Sequence, residues 1–190
     1  MTTATRLVLL GVINLMLVGV CAVVGAAAHS LGVLSEALDY LADAAAIGVS
    51  VAAIRLAARH PGAPTVAAGV NAGWLLVLSL LVMAGSIRRL ASGVRPVDGL
   101  AVLIVSAVAA LAMTAGAVLL DQDDDDLNRR AVLLDTVADA AAAAGVALTG
   151  AVILIAHGWY WLDPGAALVI SAVVIYHAVK LLRHVVTVGQ

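Results

Sequence analysis

The stretch Leu38-Asp39-Tyr40-Leu41-Ala42-Asp43-Ala44-Ala45-Ala46 returns almost unchanged as Leu134-Asp135-Thr136-Val137-Ala138-Asp139-Ala140-Ala141-Ala142. Each copy is Asp-x-x-x-Asp in an alanine-rich run, with a glycine shortly after it, Gly48 and Gly145. Alanine and leucine favour helix, and residues four apart lie on one helical face, one turn apart. Each copy therefore reads as a helix that shows two carboxylates on one side. The chain around both copies stays apolar for as long as a membrane span of about 20 residues requires.

Composition carries the same message outward to the whole chain. Of 190 residues, 64% are hydrophobic and 12% charged, with a mean hydropathy of +1.12. Soluble domains are about 45–50% apolar and about 25% charged, and a soluble fold of this size lacks the interior to hide the excess. An ordinary cytosolic enzyme, a disordered tail and a nucleic-acid-binding module are excluded, and the solvent is the lipid bilayer. The apolar runs are long rather than short and alternating, so they read as helices and not as a barrel. Cys21 stands alone in an apolar run, which leaves no disulfide framework and no cysteine-based metal site.

The spacing predicts an all-α, six-helix membrane bundle forming one domain over residues 1–190, with spans at 7–28, 31–57, 66–87, 97–120, 131–155 and 164–182. A signal peptide, with Arg6 as its basic end and Ala26-Ala27-Ala28 as its cleavage site, is the competing reading of the first span. That span is longer than a signal core, and five more follow. Arg59-His60-Pro61-Gly62-Ala63-Pro64 and Arg95-Pro96 read as loops, and His157-Gly158-Trp159-Tyr160-Trp161 as an interfacial aromatic belt. Six spans put both termini on one side. Arg6, Arg55, Arg59, Arg129, Arg130, Lys180 and Arg183 fall there, against Arg88, Arg89 and Arg95 on the other, so both termini are expected in the cytoplasm of a prokaryotic plasma-membrane protein.

A carboxylate inside a span costs about 2.5–3.5 kcal/mol on the insertion scale, and such acids usually mark a pathway. No Lys or Arg lies within either copy to neutralise them; only Asp135 is near one, Arg130. Counting about 1.5 Å of rise per residue from Ser30 and from Arg130 sets Asp39 level with Asp139 and Asp43 level with Asp135. Adjacent spans would then hold a four-carboxylate cage near the midplane, made by Asp39, Asp43, Asp135 and Asp139. Four anions in a low dielectric cannot all stay ionised while the cage is empty. A bound divalent metal would displace the protons, since metal ligands must be deprotonated, and that is the logic of an exchanger. All-oxygen ligation leans toward Mn²⁺, and Zn²⁺ also accepts Asp. Fe²⁺, Cd²⁺ and Co²⁺ belong to the same cargo class, and no resident cofactor is implied.

Four further features stand outside the cage. Glu36, three residues before Asp39, reads as a gate, a proton relay or an interfacial acid. Asp123, Asp124, Asp125 and Asp126 in the charged loop are a cation-collecting antechamber or a solvated helix stop. His29, His60, His157, His177 and His184 have no clustered partner and read as interfacial or surface residues. Gly69 and Gly73 form a small-x-x-x-small face that serves close packing within the chain or a homodimer.

Several of these stretches together resemble the cation diffusion facilitator family of metal/proton antiporters. Asn14 followed by Ser30-Leu31-Gly32-Val33-Leu34-Ser35-Glu36-Ala37 is similar to that family's entry into its second span. Asn128-Arg129-Arg130-Ala131-Val132-Leu133-Leu134 leads into the second Asp pair, and Trp161-Leu162-Asp163-Pro164 resembles the opening of its sixth span. The resemblance implies six spans, Asp39, Asp43, Asp135 and Asp139 as metal ligands, export of Zn²⁺ or Mn²⁺ from the cytoplasm against protons, and a homodimer with the third span near the partner. Where zinc-transporting members often have His, this chain has Asp135. The loop after the second span is short, and the resemblance covers the transmembrane domain only, without the family's cytoplasmic C-terminal domain. Any dimer is then expected to be held by the spans. Two other functions use the same acids. A small cation or proton channel would tolerate loss of one Asp better than a cage would. An intramembrane carboxylate-dyad protease would leave the second copy idle, so an enzyme is not expected.

Overall fold

A computed structural model describes residues 3–56, 63–120 and 127–188. They form six helices, α1 (Thr3–Ala27), α2 (Leu31–Leu56), α3 (Ala63–Ser92), α4 (Gly99–Leu120), α5 (Leu127–Ala156) and α6 (Leu162–Val188). The chain is an all-α polytopic membrane bundle. Among the described residues, five helices are long and apolar enough to cross a membrane; the sixth, α2, is the one that carries Glu36, Asp39 and Asp43. The loop holding Asp123, Asp124, Asp125 and Asp126 lies outside the described residues, as do Arg59 and His60.

Helix ends follow local chemistry. Ser30 caps α2, its Oγ accepting the Val33 amide at 3.0 Å, as an N-cap hydroxyl does. Asp98 does the same for α4 by accepting the amides of Leu100 and Ala101 at 3.1 and 3.2 Å. Pro164 does not open the sixth helix, which begins at Leu162; proline is tolerated in a first turn because its missing N–H has no partner there.

α4 lies along α5, α1 along α2, and α3 along α6, with α2 central to both halves. The apolar core is built from α1, α2, α4, α5 and α6, through Leu17, Cys21, Val33, Tyr40, Val102, Met113, Ala143, Val146, Ile170 and Val174. Leucines such as Leu81, Leu111 and Leu148 are exposed, as lipid-facing residues must be. The tightest crossing is between α4 and α5. A Cβ placed on Gly150 would stand 2.5 Å from the Leu103 amide nitrogen, and one on Gly99 would stand 2.8 Å from the Gly150 carbonyl. In lipid, helices associate by such close packing of small residues rather than by hydrophobic drive.

One end of the bundle is tied by Asp163 of α6, which is fully buried. Its carboxylate accepts Ser30 Oγ at 2.5 Å, the Leu31 amide at 2.8 Å and the Gly32 amide at 3.2 Å. Arg89, in the last turn of α3, stands 3.8 Å from the same carboxylate and donates to the carbonyl of His29. His29 is a non-glycine residue with φ of 55°, in the left-handed conformation that turns the chain from α1 into α2. An anion at the start of α2 also sits at the positive end of that helix's dipole. Three helix ends thus meet in one buried polar knot.

Candidate functional site

Away from the knot, α2 and α5 make little contact with each other, and the space between them and the α3–α6 pair is a cavity of about 1200 Å³. Asp39, Asp43, Asp135 and Asp139 all line it. Its walls are otherwise mostly apolar, and its lining runs down α6 through Lys180 and Arg183 to Thr187 in the last turn. The cavity therefore reaches the end of the bundle opposite the Asp163 knot, while the knot end is packed shut.

The four acids differ in setting. Asp139 is buried, Asp39 and Asp43 are partly buried, and Asp135 is exposed to the cavity. The carboxyls of Asp43 and Asp139 lie within hydrogen-bonding reach of each other. Two ionised carboxylates are both acceptors, so that contact closes as a hydrogen bond only with a proton between them. Asp43 Oδ2 is a buried oxygen with no hydrogen-bond partner. The pairing departs from the expected register, in which Asp43 was level with Asp135. The reason is length: α5 has 30 residues, about 45 Å at the usual rise against a core of about 30 Å, so Arg130 is a poor marker of the membrane boundary. Among the described residues, no three His, Cys, Asp or Glu side chains are gathered closely enough to hold a metal ion as they stand. What exists is one close carboxyl pair, Asp43 and Asp139, with two more carboxylates lining the same cavity.

Glu36 is not among the residues that line the cavity. It is 2% exposed, on a face of α2 turned toward α4, where Oε2 accepts Ser106 Oγ at 2.9 Å. Glu36 Oε1 and, one turn on, Tyr40 Oη are buried without hydrogen-bond partners, as is Asn14 Oδ1 of α1. His177 departs from its expected setting in part. It is exposed, as expected, but not without company: it lines the cavity with the four acids, near enough to Asp135 to interact with it electrostatically. Asn71 of α3 lines the cavity as well. Neither stands in a repeat or a recognisable spacing; only the packing of α3 and α6 against α2 and α5 brings them in. Gly73 faces open space, with nothing within 4 Å of where its Cβ would stand, so it is not spent on close packing inside the chain.

Residues 7–188 match the model of the cation efflux transmembrane domain. The chain is 31% identical over 170 residues to the zinc transporter ZitB of Pectobacterium atrosepticum, which covers 84% of this chain and 52% of that protein. It is 31% identical over 165 residues to the zinc transporter ZitB of Escherichia coli, covering 81% and 52%. It is 26% identical over 182 residues to the cadmium, cobalt and zinc/H(+)-K(+) antiporter of Bacillus velezensis, covering 88% and 58%. The chain spans about half the length of these relatives.

Proposed function

The chain belongs to the cation efflux family, and from that premise we propose that it carries a divalent transition-metal cation, of the Zn²⁺/Mn²⁺ class, out of the cytoplasm in exchange for protons. The observation that carries the reading is that both Asp-x-x-x-Asp copies turn their carboxylates into one cavity. The metal would be held by Asp39, Asp43, Asp135 and Asp139. The names of the zinc-transporting relatives support Zn²⁺ as cargo, and the all-carboxylate set is what keeps Mn²⁺ beside it. The protein sits in a prokaryotic plasma membrane with both termini cytoplasmic, so the cavity described above opens inward and the knot closes the outer end. It works as a homodimer in which the Gly69–Gly73 face of α3 is turned to the partner.

Exchange follows from competition. The Asp43–Asp139 contact needs a proton when the site is empty, and a metal needs both groups bare. Alternating access carries one or the other. Metal affinity must then fall as pH falls, because each proton the site retains excludes a ligand. Proteoliposomes with an imposed pH gradient, offered Zn²⁺, Mn²⁺, Cd²⁺ and Co²⁺ in turn, are expected to take up Zn²⁺ in proportion to the gradient and to stop when a protonophore collapses it. Uptake indifferent to the gradient, driven by metal concentration alone, would favour a cation channel built on the same acids.

A further inference from the structure

We propose that His177 of α6 is a fifth ligand of the transported metal, lending an imidazole nitrogen to a site otherwise made of carboxylate oxygens, and that it is the residue that favours Zn²⁺ over Mn²⁺. The inference rests on the reading of the four acids as the metal site and deepens it.

The levels of the helices place it there. The Leu31 amide donates to Asp163 at 2.8 Å, which sets residue 163 of α6 level with residue 31 of α2. From that common level, at about 1.5 Å per residue, Asp43 lies about 18 Å along α2 and His177 about 21 Å along α6. Asp139 meets Asp43, and Asp135, one turn nearer the mouth on the antiparallel α5, lies about 24 Å from the knot. His177 thus stands between the level of the Asp43–Asp139 pair and that of Asp135. It lines the same cavity and is close enough to Asp135 for their charges to interact. Its ring is braced by Tyr176, with ring centroids 5.6 Å apart.

Chemistry says what a ring at that height does. A neutral imidazole is the commonest side-chain metal ligand. It suits Zn²⁺, whereas Mn²⁺ prefers oxygen donors. The acids and the ring belong to three helices, α2, α5 and α6, and no three of the groups are gathered as they stand. A metal that enters from the mouth passes His177 and Asp135 before it reaches the buried pair, and drawing all of them to one ion pulls α6 toward α2 and α5. Ligation from α6 would therefore couple cargo binding to closure of the wide side of the cavity.

The test uses the purified full chain in nanodiscs, with Zn²⁺ and Mn²⁺ titrated separately at one alkaline pH. His177→Ala is compared with His177→Asn, which keeps a polar side chain of similar size should the alanine variant fold poorly. Zn²⁺ binding is expected to weaken at least about 10-fold in both variants, with Mn²⁺ binding changed by less than about threefold, since oxygen ligands carry it. Bound Co²⁺ provides a readout that packing alone would not move: its visible absorption should shift when the nitrogen leaves the ligand set. Equal losses for both metals, or an unchanged Zn²⁺ affinity with an unchanged Co²⁺ spectrum, would overturn the role of His177 while leaving the carboxylate site standing. Failure of the wild-type chain to bind any of the metals would remove the carboxylate site and His177 together.

Discussion

Asp139 is the buried member of the four carboxylates, and under the proposed function its contact with Asp43 is where proton and metal would compete most directly. Asp139→Asn keeps the shape and a hydrogen bond to Asp43 but removes a charge and a deprotonatable group. Outer ligands of metal sites are worth about 10–100-fold in affinity, so loss of this inner one should weaken Zn²⁺ binding by more than about 100-fold. The same variant should release fewer protons per metal bound, which titration calorimetry in buffers of different ionisation enthalpy measures. Wild-type affinity in this variant would place the cargo elsewhere. The four acids were legible in the sequence because charge in an apolar run is costly, and because the run occurs twice. His177 was not. A lone histidine carries no such cost, and the acids it meets in the cavity lie on other helices, the nearest in sequence being Asp139.

At the scale of elements, the crossing of α4 and α5 tolerates no side chain. Gly150→Val would press a branched side chain onto the backbone of Leu103, which stands 2.5 Å from the ideal Cβ position, and backbone cannot rotate away as a side chain can. Overpacking costs about 1–3 kcal/mol where side chains yield, and the cost here should be at the upper end or beyond it. A lower yield of folded protein and a drop in Tm in detergent are the expected results; an unchanged Tm would mean that the helices separate freely. Gly73→Leu makes the contrast, since nothing stands within 4 Å of its Cβ position. It should leave Tm and yield unchanged and lower the crosslinked dimer fraction in native membranes; a dimer fraction equal to wild type would remove the α3 face from the interface. Sequence spacing singled out Gly69 and Gly73 because both sit on one helix. The Gly99–Gly150 crossing joins two helices, so no spacing within either one reveals it. Helix ends fall within six residues of the expected span ends, since long apolar runs leave little choice. Register between helices was not, because spans longer than the bilayer slide without changing their composition.

The whole molecule is asymmetric along its axis, wide where the acids and His177 lie and tied where Asp163 holds α2 and α3. Asp163→Asn keeps one acceptor and loses the charge. Hydrogen bonds to charged groups are worth about 1.5–3 kcal/mol each, so the amides of Leu31 and Gly32 should exchange hydrogen at least about 10-fold faster in this variant while amides in the middle of α4 stay protected. Exchange unchanged at the start of α2 would mean that the end is shut by packing alone.

Under the proposed function that tie would also set a clock. Opening the far side of the bundle would part several bonds to one carboxylate, so the slow event in a cycle should be mechanical rather than chemical. Such a step has a large activation enthalpy, as the parting of packed structure generally does. Warming should therefore quicken turnover steeply while barely altering how tightly cargo is held at rest. Under the proposed function, speed and grip would be governed from opposite ends of the same six helices.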